Sequence, residues 1–205
     1  MTRARLEAFS DGVLAVAITL LVLDLHVDPH GKQSLATQLV AEWPSFAAYL
    51  VSFLVIGVIW VNHHALIQRA NHVDRLLLFY NLLLLLFVTS VPFTTSTLAG
   101  YLAVENAQDL RVAVLLYGAS MTGMAIAFTL LFARVSRFEA SEGQVWSPAR
   151  IRSIVRFGIG TILYPVVALI GLISAPLMLA IYGALSIYYM FNQTGVAGER
   201  AGGGD

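Results

Sequence analysis

The chain has 205 residues, 58% of them apolar and 12% charged, with a formal net charge of zero. A soluble domain carries about 45–50% apolar and 25% charged residues, so a water-soluble core of this length has no room for so much apolar surface. The charge balance gives no support to an electrostatic nucleic-acid binder, and the lack of cysteine excludes disulfides, thiolate metal sites and cysteine nucleophiles.

A bilayer core of about 30 Å is crossed by about 20 apolar residues in a helix. Six stretches meet or approach that length: residues 6–25, 44–68, 75–97, 109–133, 151–173 and 176–191. In the first, Arg5, Glu7 and Asp11 are followed by an apolar run with no small-residue cleavage site, so it is expected to remain in the mature protein. A polar loop over 26–42 contains Pro29 and Gly31. The second span starts near Trp43 and carries Trp60, Asn62, His63 and His64 in its last third. Pro92 and Pro165 fall inside the third and fifth spans and read as kinks supported by neighbouring helices. Segment 134–150 mixes charges with Gly143 and Pro148, and the short last span ends in Tyr188, Tyr189 and Phe191, an aromatic belt. Residues 194–205 are Gly-rich and read as a disordered tail. The runs are too long, and too poor in period-two alternation, for strands. The expectation is an all-α integral membrane protein with six transmembrane helices in one domain over residues 1–193.

Basic residues set the orientation. With the N-terminus inside, the cytoplasmic side carries Arg3, Arg5, Arg69, Arg75, Arg134, Arg137, Arg150, Arg152, Arg156 and Arg200, against Lys32 and Arg111 outside. That bias places both termini in the cytoplasm.

The first helix holds the unusual residues, because polar groups in a membrane are costly without a partner or water. At about 100° per residue, Val16, Thr19, Leu20 and Leu23 share one stripe. Asp11 projects from nearly the opposite side, toward neighbouring helices. Its depth matches that of Asn62, His63 and His64, so an Asp–His or Asp–Asn hydrogen bond is expected, with the choice of histidine open. From spacing alone the stripe is equally an ordinary packing face, and the Thr19 hydroxyl equally a donor to its own backbone.

The pattern R-x-x-x-F-S-D at Arg5, Phe9, Ser10 and Asp11, followed by an apolar run containing Thr19, resembles the signature of the transmembrane protein 175 family of potassium channels. The cluster Trp60, Asn62, His63 and His64 resembles that family too. The resemblance implies a homotetramer of single six-helix repeats in a prokaryotic plasma membrane, with first helices lining the pore and no re-entrant filter loop. It implies pore-facing roles for Val16, Thr19, Leu20 and Leu23, with potassium passing near Thr19 and an apolar gate. Position 16 is usually a bulkier isoleucine or leucine in relatives, so the resemblance leaves the narrowest ring open among Val16, Leu20 and Leu23. Arg5, Phe9, Ser10 and Asp11 become the anchoring network together with the cluster on the second helix.

No cofactor is expected. His63 and His64 point about 100° apart on a helix and do not share one metal ion readily. A secondary transporter is the leading alternative, although no inverted repeat and little midplane charge support it. An intramembrane enzyme finds no nucleophile elbow or H-E-x-x-H motif.

Overall fold

The structure, a computed structural model, describes the backbone of residues 2–104, 106–141 and 148–191, and the side chains of 2–104, 106–138 and 159–190. The expected tail at 194–205 and the side chains of Arg150, Arg152 and Arg156 lie outside the described residues. All the regular structure described is helical: α1 (Arg3–Leu20), a 3-10 turn (Leu21–Asp24), α2 (Leu35–Ala41), α3 (Trp43–Gln68), α4 (Arg75–Leu102), α5 (Ala107–Ser141), α6 (Pro148–Gly171) and α7 (Ala175–Phe191).

Among the residues with described side chains, four helical segments are long and apolar enough to cross a membrane: Arg3–Asp24, Trp43–Gln68, Arg75–Leu102 and Ala107–Phe138. Two shorter apolar stretches follow among these residues: Ile159–Gly171, the part of α6 whose side chains are described, and Ala175–Met190. The expected spans therefore reappear as helices, with α4 and α5 running further than hydropathy suggested. The polar loop after the first span is not all coil. Ser34 caps α2 by accepting from the Thr37 N–H at 3.2 Å, and α2 leads almost directly into α3.

In lipid, apolar helix faces gain little by leaving their surroundings, so association rests on close fit and interhelical hydrogen bonds. α4 lies at the centre, packed against α1, α3 and α5, and α7 closes the bundle against α3 and α6. Gly118 and Gly123 let α5 come close to its neighbours. A Cβ at Gly118 would collide with Ala168 of α6, and one at Gly123 with the Phe87 ring of α4. Ser52 of α3 binds the Thr95 hydroxyl of α4 at 2.8 Å and the Tyr117 hydroxyl of α5 at 3.0 Å, tying three helices at one buried point. Pro92 and Pro165 both sit within continuous helices.

At the other end of α4, Asp74 is the N-cap. Its carboxylate accepts from the Leu77 N–H at 2.9 Å and pairs with the Arg134 guanidinium of α5. Arg134 also lies over the Phe138 ring, 4.5 Å from its centroid. The Arg134 hydrogen bond is the main cause that holds the Asp74 carboxyl below the usual carboxylate range. A depressed folded-state value stabilises the fold above the unfolded pKa and fades as pH falls through the folded one. Asp74→Asn keeps an oxygen for the Leu77 N–H but removes the charge paired with Arg134, and is therefore expected to lower thermal stability near neutral pH by up to about 1 kcal/mol, the usual scale of a partly exposed ion pair. The gap from wild type should close as pH drops below about 4. Melting curves of both proteins across pH check it.

Candidate functional site

α1 occupies the edge of the bundle against α3 and α4, and its two sides differ. Leu6, Ser10, Leu14, Ala17 and Leu21 recur every three or four residues and are buried. The helical period then turns Val16, Thr19, Leu20 and Leu23 away from the bundle, and all four are exposed in the single chain; Val16 is 55% and Leu23 65% accessible. The Thr19 hydroxyl donates to the Val16 carbonyl at 2.9 Å. Its proton is thus committed to the backbone, while its oxygen remains an outward acceptor, the polarity that suits a cation.

Ser10 faces α4. Its hydroxyl donates to the Leu6 carbonyl at 2.9 Å and accepts from Asn81 Nδ2 at 3.0 Å. Asn81 Oδ1 lies 2.7 Å from His63 Nε2. A carbonyl oxygen only accepts, so His63 carries its proton on Nε2. Ser10, Asn81 and His63 are all fully buried, and this chain of three side chains joins α1, α4 and α3. Asn81 was absent from the sequence-based site; the signal was a lone amide in the run Leu76–Leu86.

A second set of contacts joins α1 directly to α3, and it corrects the expected partner of Asp11. Trp60 Nε1 donates to Asp11 Oδ1 at 3.0 Å, whereas His63 turns to Asn81 and Asn62 donates to the Val58 carbonyl at 2.8 Å. The reason is azimuth. Trp60, His64 and Gln68 are each four residues apart and share the line of α3 that meets α1; His63 is rotated about 100° from His64. Opposite them, Arg3, Glu7 and Asp11 share one line of α1. The helices are antiparallel and the pairs step together: Asp11 with Trp60, Glu7 Oε1 with His64 Nδ1 at 2.8 Å, and Arg3 Nη1 with the Gln68 carbonyl at 3.0 Å. Arg5 and Phe9 of the same signature are exposed.

A cavity of about 50 Å³ lies among α3, α5, α6 and α7, walled by Val55, Asn62, Phe128, Tyr164 and Tyr189 among others. None of its lining residues belongs to α1, so it is separate from the exposed stripe.

Comparison with known proteins gives the frame for these features. The model of the family described as endosomal/lysosomal potassium channel TMEM175 matches residues 5–92, the span holding both sets of contacts except Arg3. A Streptomyces collinus protein named a potassium channel is 45% identical over 199 residues, covering 96% of each chain. A potassium channel of Chamaesiphon minutus is 39% identical over 191 residues, covering 90% of this chain and 92% of that one. The crystal structure of a lysosomal potassium-selective channel TMEM175 homologue from Chamaesiphon minutus superposes with a TM-score of 0.79 at 35% identity, covering 93% of this chain and 97% of that one.

Proposed function

The chain belongs to the TMEM175 family, and from that premise we propose that it is a subunit of a potassium channel conducting passively through a pore lined by α1. The family and these relatives are ion channels, not enzymes. The chain is a multi-pass membrane protein, here read as crossing six times per subunit, residues 1–193 forming the channel domain. The bias of basic residues supports cytoplasmic termini, and likeness to the bacterial potassium channels supports a prokaryotic plasma membrane.

The single observation that carries the pore is the two-sided α1. One face is anchored by Ser10, Asp11 and the groups they meet, while Val16, Thr19, Leu20 and Leu23 are exposed in the monomer. One helix encloses nothing, so conduction needs several copies with these faces turned to a common axis; the family reading is four. Such an assembly stacks apolar rings around a ring of Thr19 oxygens. An apolar constriction excludes water when narrow, and an ion shorn of its hydration does not cross. Widening readmits water and current.

Selectivity falls to Thr19 in this account, since no T-V-G-Y-G segment supplies a ladder of carbonyls. Its outward lone pairs offer a partly stripped cation a substitute for water. Thr19→Val keeps the shape and removes the acceptor. It should shift the reversal potential toward that of a channel indifferent to potassium and sodium, measured with opposing gradients across a planar bilayer. An unmoved reversal potential removes Thr19 from the selectivity role. The transporter alternative is read in the same experiment: obligatory coupling and saturating flux, in place of gradient-driven current, would favour it.

A further inference from the structure

Beyond conduction, the contacts between α1 and α3 hold a group whose chemistry helix anchoring does not use up. Glu7, Asp11 and His64 each offer one ligand atom, and these atoms lie within 4.8 Å of one another. His64 Nδ1 is shielded from solvent. Although Glu7 Oε1 is only 2.8 Å away, no directed hydrogen bond forms, and Nδ1 is left without a hydrogen-bond partner. We propose that Glu7, Asp11 and His64 form a binding site for a divalent transition-metal ion such as Zn²⁺, joining α1 to α3.

The donor set selects the class of ion. One imidazole with two carboxylates suits borderline divalent ions such as zinc, and the nitrogen disfavours magnesium and calcium, which prefer oxygen. Ligand atoms around tetrahedral zinc are roughly 3.3 Å apart, from bonds of about 2.0–2.1 Å. The present spread closes to that by rotation of Glu7 and His64, whose side chains are partly exposed (20% and 44%). Water completes the coordination.

The surroundings fit as well. The Trp60 indole occupies Asp11 Oδ1, fixing the carboxylate and leaving Oδ2. Gln68 Nε2 lies 2.8 Å from His64 Nε2. Turning that amide end for end presents its oxygen to an Nε2–H and leaves the Nδ1 lone pair for the metal, the usual arrangement behind a ligating histidine. The sequence hid this site because its ligands come from helices over fifty residues apart, and only His64 of the adjacent histidines faces α1.

The test is zinc binding to chelator-stripped, tag-free protein in detergent, read by calorimetry and by thermal melting. One Zn²⁺ per chain is expected, with a rise in Tm. Glu7→Gln and His64→Gln should each weaken binding tenfold or more and abolish the Tm rise. His26→Gln and His30→Gln, in the loop after α1, should leave both intact. Equal affinity in wild type, Glu7→Gln and His64→Gln overturns the site, as does loss of binding on removing His26 and His30. Should a variant fail to fold, zinc anomalous scattering from wild-type crystals decides: a peak among Glu7, Asp11 and His64 supports the site, and its absence refutes it. Neither readout measures potassium flux, so the site and the conduction reading stand or fall separately.

Discussion

Leu20→Asn and Leu23→Ser each raise resting potassium leak through reconstituted channels, roughly tenfold or more. In the proposed assembly each substitution places a ring of polar groups where a ring of leucines kept the path dry. A tenfold change in permeation corresponds to only about 1.4 kcal/mol of barrier, and several amides or hydroxyls binding water at one level supply more than that. Leu20 and Leu23 are 42% and 65% exposed in the chain alone, so neither substitution opens a hole in the subunit core, and fold stability should be preserved. Potassium efflux from liposomes, normalised to protein incorporated, reads the effect. Wild-type leak in both variants would remove the apolar gate.

The second large effect is on the fold. Asn81→Ala removes the amide that serves Ser10 and His63 together, and both lie fully buried. An interhelical hydrogen bond in lipid is worth about 0.6 kcal/mol on average, because the separated helices find other partners. Here the comparison is different. His63 Nε2 stays inside the bundle with its proton unmet, and its Nδ1 already has no partner. A buried unsatisfied polar group costs about 1–3 kcal/mol, so a loss of about 2–4 kcal/mol is expected with two groups affected. Ser10→Ala should cost less, near 1 kcal/mol, because the serine proton is satisfied by Leu6 of its own helix. Thermal melting of the three proteins in detergent, with the double variant to close the cycle, checks both the size and the order. Equal Tm for Asn81→Ala and wild type contradicts the anchoring role.

Much of the fold was legible because the bilayer imposes a length that apolar runs either meet or miss. The helices found at Trp43–Gln68 and Ala175–Phe191 lie within a residue of the spans expected from hydropathy. α2 was not legible: it is seven residues in a polar loop, and its capping serine looks like any loop serine. The signature on α1 was readable as a motif but not as a geometry. Depth along the membrane normal follows from position in the span, and that placed Asp11 level with the Trp60–His64 cluster. It says nothing of rotation, and rotation gave Asp11 to Trp60 and His63 to Asn81. The four-residue spacings of Arg3, Glu7 and Asp11 and of Trp60, His64 and Gln68 held that information once the two helices were known to be antiparallel neighbours. The role of the exposed stripe lies further out, since a face that meets other copies and a face that meets lipid are built from the same residues.

The chain has no native cysteine, so one substitution introduces the only thiol and asks directly what α1 faces. Leu23→Cys and Leu20→Cys channels in liposomes are treated with a positively charged methanethiosulfonate reagent, alongside Ile162→Cys on α6, whose side chain is 70% exposed. If copies of α1 surround the conducting path, modification at 20 and 23 cuts potassium flux sharply while modification at 162 leaves it unchanged. Full modification at 20 and 23 with flux intact would contradict a pore walled by this helix.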